Sequence, residues 1–140
     1  MSLKSSTLVR GIFYAIILWV VGFVWGVIVF MVPLLKNLPS IPLVSKFPAV
    51  SLVLLPLYLL ILWHLTPRLL ASSQAKTVEG IKFGIVLVLV TLVLDTLVYV
   101  FLLGSGDYFT FLSIWVANVM FILVPWFVGT SATSAVISAS

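Results

Sequence analysis

Four long apolar stretches dominate this chain: about Leu8 to Val32, Pro48 to Leu65, Ile81 to Leu103 and Tyr108 to Val128. A helix needs roughly 20 apolar residues to cross a hydrocarbon layer about 30 Å thick, and each stretch is of that order. In lipid every backbone amide and carbonyl must be satisfied internally, which leaves helices or a closed β-barrel. Barrel strands alternate polar and apolar residues over about ten positions, and these stretches do not alternate. The expectation is an all-α polytopic membrane protein. Residues 1–140 form one transmembrane domain, a four-helix bundle with both termini cytoplasmic.

Composition supports that solvent. The chain is 64% hydrophobic and 7% charged, with a mean hydropathy of +1.39. A soluble domain of this size has too little core to hide so much apolar surface. The formal charge of +4 comes from seven Lys and Arg against three acids. These cations fall at the ends of the apolar stretches, where they set orientation rather than contact nucleic acid. With the N-terminus inside, Lys4, Arg10, Arg68, Lys76 and Lys82 lie on the inner side against Lys36 and Lys46 outside. The absence of cysteine excludes disulfides, thiolate metal sites, iron–sulfur clusters and cysteine nucleophiles. The run from Gly11 to Leu35 is too long for a signal-peptide core and lacks an Ala-x-Ala site, so it reads as a retained helix.

The connections differ in kind. LLKNLPSIPLVSKF holds Pro39 and Pro42 between Pro33 and Pro48, and so reads as an extended interfacial segment. Pro48 suits the first turn of the second helix. In TPRLLASSQAKTVEG, Thr77 is placed to cap the third helix, with Glu79 near its positive end. Only GSGD joins helices three and four, with Gly104 as a left-handed helix end and Asp107 as a cap. A link that short makes these helices antiparallel neighbours. After Val128 the small polar tail 129–140, GTSATSAVISAS, is expected to fray.

One acid interrupts the apolar third stretch. Asp95 lies near mid-membrane, where an ionisable group is costly and marks a functional candidate. Counting outward from the GSG turn, Asp95 and Asn118 each sit about nine residues deep, roughly 13 Å at the helical rise. That spacing predicts a hydrogen bond between them. Thr91 and Tyr99, one turn either side of Asp95, complete an intramembrane polar cluster. Such a cluster acts as interhelical glue or as a proton or cation site. Gly80, Gly84 and Val88 extend the same face, while Ile85, Leu89, Val93, Leu97 and Val100 form an aliphatic face suited to lipid.

Other candidates are fewer. His64 stands near the inner end of helix two as a ligand or relay residue or an interfacial hydrogen bonder. It is the only histidine, so no metal site and no cofactor are expected from this chain alone. Gly22 and Gly26, and Gly80 and Gly84, form two GxxxG spacings for close helix packing, within the bundle or against a partner. Trp63, Trp126 and Tyr108 suit an interfacial belt, whereas Trp115, a turn from Asn118, is placed to donate inside the bundle. Pro56 and Pro125 should kink helices two and four. No GxSxG, GxxxxGK[ST] or GxGxxG occurs.

The segment from Glu79 to Gly129, with EGIKFG, TLVLDTLVYV, GDYFTF and PWFVG, resembles small uncharacterised four-helix membrane proteins of prokaryotes. That resemblance implies four helices and no activity. The small multidrug transporters are similar in being short, four-helix and built around one intramembrane carboxylate. Their acid is a glutamate in the first helix, which here has none. The expected function is a non-enzymatic membrane subunit that packs against and stabilises a larger complex, in a prokaryotic cytoplasmic membrane. Its expected partners are lipids and other transmembrane helices, with no nucleic acid. The alternatives are a small proton- or cation-coupled transporter using Asp95, and a lipid- or quinone-binding module between kinked helices two and four.

Overall fold

A computed structural model describes residues 5–139, with side chains from residue 8 to 138 apart from 136. Lys4, counted above among the inner cations, lies outside the described residues. The elements are α1 (Ser5–Met31), the single turn α2 (Pro33–Lys36), α3 (Pro48–Leu70), α4 (Lys76–Asp95) and α5 (Leu112–Ala139). A π-helix, Thr96–Leu102, continues α4 without a break. Among the described residues the chain has no strand, only an isolated bridge between Ile41 and Ser45.

Four spans are long and apolar enough to cross a membrane: Leu8–Met31, Pro48–Leu70, Lys76–Leu102 and Leu112–Ala135. Between 17% and 39% of each span's most apolar window is buried by the rest of the bundle. The remainder is largely apolar surface left open to the surroundings, which is compatible with a membrane-spanning bundle. Ile85, Leu89 and Val93 on α4 and Leu97 on the π-helix are exposed, as the aliphatic face predicts, whereas Val100 of that face is half-buried.

The core gathers Ala15 and Leu18 of α1, Leu62 of α3, Phe83 and Leu87 of α4, and Phe121, Val124 and Val128 of α5. Glycine sets the closest approach. A Cβ on Gly80 would strike Pro125 O, and one on Gly84 would lie 2.7 Å from Phe121 O. Pro125 lacks the amide that would bond Phe121 O in an unbroken helix. Gly84 therefore packs on a carbonyl left without its helical partner. Gly129 makes the reciprocal approach to Lys76 O.

These contacts also explain why α5 outruns the expected fourth helix. Thr77 Oγ1 sits 3.4 Å from Thr133 Oγ1, tying the start of α4 to the far part of α5. The tail's hydroxyls bond their own helix: Thr130 to Trp126 O, Thr133 to Gly129 O and Ser134 to Thr130 O. The frayed tail expected after Val128 is thus helix through Ala139. Thr77 is in turn not a cap, because α4 begins at Lys76 after Ala75 with no capping side chain. Likewise α3 runs through Pro67 to Leu70 rather than stopping at Leu65.

The segment after α2 is a compact turn, not an extended strip. Ile41 and Ser45 exchange backbone bonds of 2.9 and 3.0 Å around Leu43, whose φ is 62°. The Leu43 and Val44 carbonyls accept the Leu112 and Ser113 amides at 2.8 and 3.0 Å. The first turn of α5 carries amides with no helical partner, and here a distant loop serves two of them. Asp107 does not cap with its side chain either. It opens the 3-10 turn Tyr108–Thr110, and its carboxylate pairs with Lys46 Nζ at 2.7 Å.

Candidate functional site

The helices α1, α3, α4 and α5 all bring polar side chains to the bundle interior, and most of these face one cavity of about 240 Å³. Trp19, Gly22 and Gly26 line it from α1, Ser51 and Tyr58 from α3, Thr91 and Asp95 from α4. Tyr99 of the π-helix, Tyr108, and Ala117, Asn118 and Phe121 of α5 complete the deeper wall. Lys46, Ser105 and Asp107 lie where it reaches the connecting loops.

The Asp95 carboxyl is buried, 9% exposed, and its Oδ1 accepts the Trp19 indole N–H at 2.9 Å. Tyr108 approaches the same carboxyl from the returning link. Burial first, and the nearby Asp95 carboxyl next, push the Tyr108 hydroxyl far above the usual phenol range, so it stays a proton donor. Tyr99 and Tyr108 stack face to face, with centroids 4.3 Å apart and planes 7° apart. These donors are neutral. Among the described residues no cation pairs with Asp95, since the two ion pairs found are Lys46–Asp107 and Lys82–Glu79.

The predicted bond between Asp95 and Asn118 is not made. Asn118 Nδ2 donates instead to Ile114 O at 2.9 Å, and its Oδ1 is buried without a partner. Register explains the difference. Gly80 faces Pro125, and Gly84 faces Phe121 four residues back along α5. Continued at that register, Asn118 comes level with Leu87 and Asp95 with Thr110. The two polar groups are therefore offset by about 12 Å along the helix axis. The symmetric count from GSGD fails because α4 continues as π-helix to Leu102 while α5 starts only at Leu112. The link folds back along the π-helix and brings Tyr108, rather than Asn118, toward the Asp95 carboxyl. Asn118 still lines the same cavity, two turns deeper.

Thr96 Oγ1 donates to Leu92 O at 2.7 Å, the carbonyl its own amide also serves. Hydroxyl back-bonding of this kind loosens the following turn. The wider ladder closes with Leu103 N to Val98 O at 2.9 Å, and Gly104 at φ 64° lets the chain reverse. Single-turn π segments of this kind are frequent at functional sites.

The remaining candidates divide. Thr91 lines the cavity, but its hydroxyl turns back to Leu87 O and Val88 O. His64 is exposed on α3, with Nδ1 2.8 Å from Leu60 O. Among the described residues no group of His, Asp and Glu is placed to hold a metal. Gly80 and Gly84 are consumed inside the bundle. At Gly22 a Cβ would strike the Tyr58 hydroxyl, whereas Gly26 faces open space in the cavity. Trp115 points away from the interior, its indole bonded to Phe109 O at 2.8 Å.

Sequence reasoning missed Trp19 and Tyr108. The signal for Trp19 was present: an indole N–H far from either interface needs an acceptor, and Asp95 is the only acid within an apolar stretch. No family model, curated protein or solved structure matches this chain.

Proposed function

We propose that this chain is a non-enzymatic membrane module that binds a small amphipathic molecule in the cavity beside Asp95. The observation that supports it most is an interior cavity of about 240 Å³ lined by aromatic rings and by the polar side chains of Ser51, Thr91 and Asp95. Natural binding sites combine apolar walls with a few placed polar groups in this way. The bias of basic residues argues for cytoplasmic termini. Lys46 and Asp107 then mark the outer end of the cavity, and a prokaryotic cytoplasmic membrane suits such a bundle. The lipid- or quinone-binding alternative is the sequence-level reading closest to this proposal.

The test is to extract the protein mildly from its native membrane and analyse its organic complement by mass spectrometry. The wild type should carry a small molecule that Ala117→Trp, which fills the cavity, has lost. Identical complements on a variant that melts like wild type would overturn the reading.

The accessory-subunit reading has its own supporting observation. Phe101, Leu102 and Leu103 are consecutive, large, and 74%, 77% and 60% exposed at the end of the π-helix. A partner helix seated there would co-migrate with the wild type on native gels and separate from a Phe101→Ser, Leu102→Ser variant. A single species of the chain's own mass for both proteins would remove it.

A further inference from the structure

The cavity opens sideways through the bundle wall, and the medium outside that opening decides what enters. We infer that one hydrocarbon chain of a membrane lipid turns in between α1 and the π-helix and fills the cavity. The lipid belongs to the leaflet on the Lys46–Asp107 side. This inference rests on the binding reading above and names the occupant of that same cavity.

The opening follows from where α1 makes its contacts. Its first half packs on α4: a Cβ on Gly11 would lie 3.0 Å from Val86, and Trp19 donates to Asp95. Its last half leans on α3 instead. Trp25 Nε1 donates to Ala49 O at 2.9 Å, and Phe30 meets Phe47 edge-on with ring centroids 4.8 Å apart. Among the described residues no hydrogen bond or ring contact ties α1 to the π-helix, so the two part above the Trp19–Asp95 bond.

Two stripes face each other across the gap. Trp19, Phe23, Gly26 and Phe30 recur at helical spacing on α1, and Asp95, Tyr99 and Leu103 run up the other side. Both stripes line the cavity. Phe23, Phe30 and Leu103 are also exposed, which makes them its rim. Between them Gly26 keeps the gap clear, since an added methyl there would meet nothing within 4 Å. Phe23, Gly26 and Phe30 belong to the apolar span Leu8–Met31, so in a bilayer this rim meets hydrocarbon.

The walls suit a hydrocarbon guest because their polar groups are engaged elsewhere. Thr91 bonds Leu87 O and Val88 O, Ser45 and Ser51 bond each other, Lys46 pairs with Asp107, and Asp95 holds the Trp19 indole. A water molecule needs roughly two to four polar partners to stay in such a space. A lipid chain gives up no hydrogen bond on entering and restores the dispersion contacts that a void forfeits. Size limits it to one chain. An apolar cavity of about 150 Å³ takes benzene, so about 240 Å³ holds a length of chain and not a whole lipid. The headgroup and second chain stay in the leaflet.

The test uses the full chain in phosphatidylcholine vesicles doped with a phosphatidylcholine whose second chain carries a photoactivatable diazirine. Peptide mass spectrometry after illumination locates the insertions. Tyr58 and the buried Phe121, which line the cavity, should be labelled along with the outward-facing Leu89 and Val93. Gly26→Trp and, separately, Leu103→Trp block the gap from its two sides. Each should abolish labelling at Tyr58 and Phe121 while leaving Leu89 and Val93 labelled as before.

Wild-type labelling confined to Leu89 and Val93 would overturn the inference. The binding reading would survive that result if Ala117→Trp still strips a bound molecule from the extracted protein, and would fall with it if the complements match. Interior labelling that persists in both tryptophan variants would overturn the opening between α1 and the π-helix. Leu103 is exposed, so its variant decides even if Gly26→Trp does not fold.

Discussion

Replacing Gly84 by alanine should separate α4 from α5, and the structure gives the size of the effect. The added methyl would lie 2.7 Å from Phe121 O and 2.8 Å from Ile122 Cα, both backbone atoms that cannot swing aside. Carbon contacts settle near 3.5–4.0 Å, so the helices must part by several tenths of an ångström along their tightest seam. Overpacking of this kind costs about 1–3 kcal/mol. Alanine returns up to about 1 kcal/mol of helix propensity over glycine, which leaves a net loss of up to about 2 kcal/mol. The contrast lies one GxxxG motif away. Gly26 has nothing within 4 Å of its added methyl, so Gly26→Ala should stabilise by about 0.5–1 kcal/mol through propensity alone. Gly22→Ala meets only the end of the Tyr58 side chain and should fall between them. The assay is reversible unfolding in mixed micelles of rising SDS fraction, followed by helix circular dichroism. If Gly84→Ala and Gly26→Ala shift the midpoint in the same direction, the glycine seam is wrongly placed.

Other substitutions test the surroundings. Thr66 is fully buried with an unpartnered hydroxyl, so Thr66→Val should be neutral or stabilise by about 1–2 kcal/mol in the same unfolding assay. Leu43 sits at φ 62° with its side chain 80% exposed. Leu43→Gly relieves about 1 kcal/mol of left-handed strain and should raise the thermal midpoint without altering the Leu43 carbonyl that caps α5. The Lys46 hydrogen bond holds the Asp107 carboxyl below its ordinary value. A depressed folded pKa makes this contribution present above the usual carboxylate range and lost as pH falls through the depressed value. Asp107→Asn should therefore flatten the acid limb of a stability–pH curve, and added salt should weaken the wild-type contribution because both partners are 47% exposed.

Much of the architecture was legible because lipid leaves a chain few options. The aliphatic face of α4, the hairpin between α4 and α5 and the reversal at Gly104 follow from hydropathy, link length and glycine's conformational freedom. Boundaries were less legible where side chains satisfy backbone groups. Thr130, Thr133 and Ser134 read as a polar tail, yet their hydroxyls bond the preceding turn and extend α5. Within the site, Asp95 was found as the one acid inside an apolar stretch, and Tyr99 from its helical spacing to Asp95. Their partners were not, because the register of α4 on α5 depends on the π-helix and on a link that doubles back. Neither Thr96 back-bonding nor the capping of α5 by Leu43 and Val44 is written in local propensity. Trp19 was missed for a simpler reason: it belongs to another helix, and only its need for an acceptor ties it to Asp95.

The anchoring of Asp95 is the centre of this account, and indole resonances report on it directly. The chain has five tryptophans, each giving one indole N–H signal in a protein carrying ¹⁵N-tryptophan in micelles. Asp95→Leu should move the Trp19 signal upfield and speed its exchange with deuterium, while the Trp25, Trp63, Trp115 and Trp126 signals hold their places and so vouch for the fold. A Trp19 signal that does not move, or a shift confined to Trp115, would contradict the account.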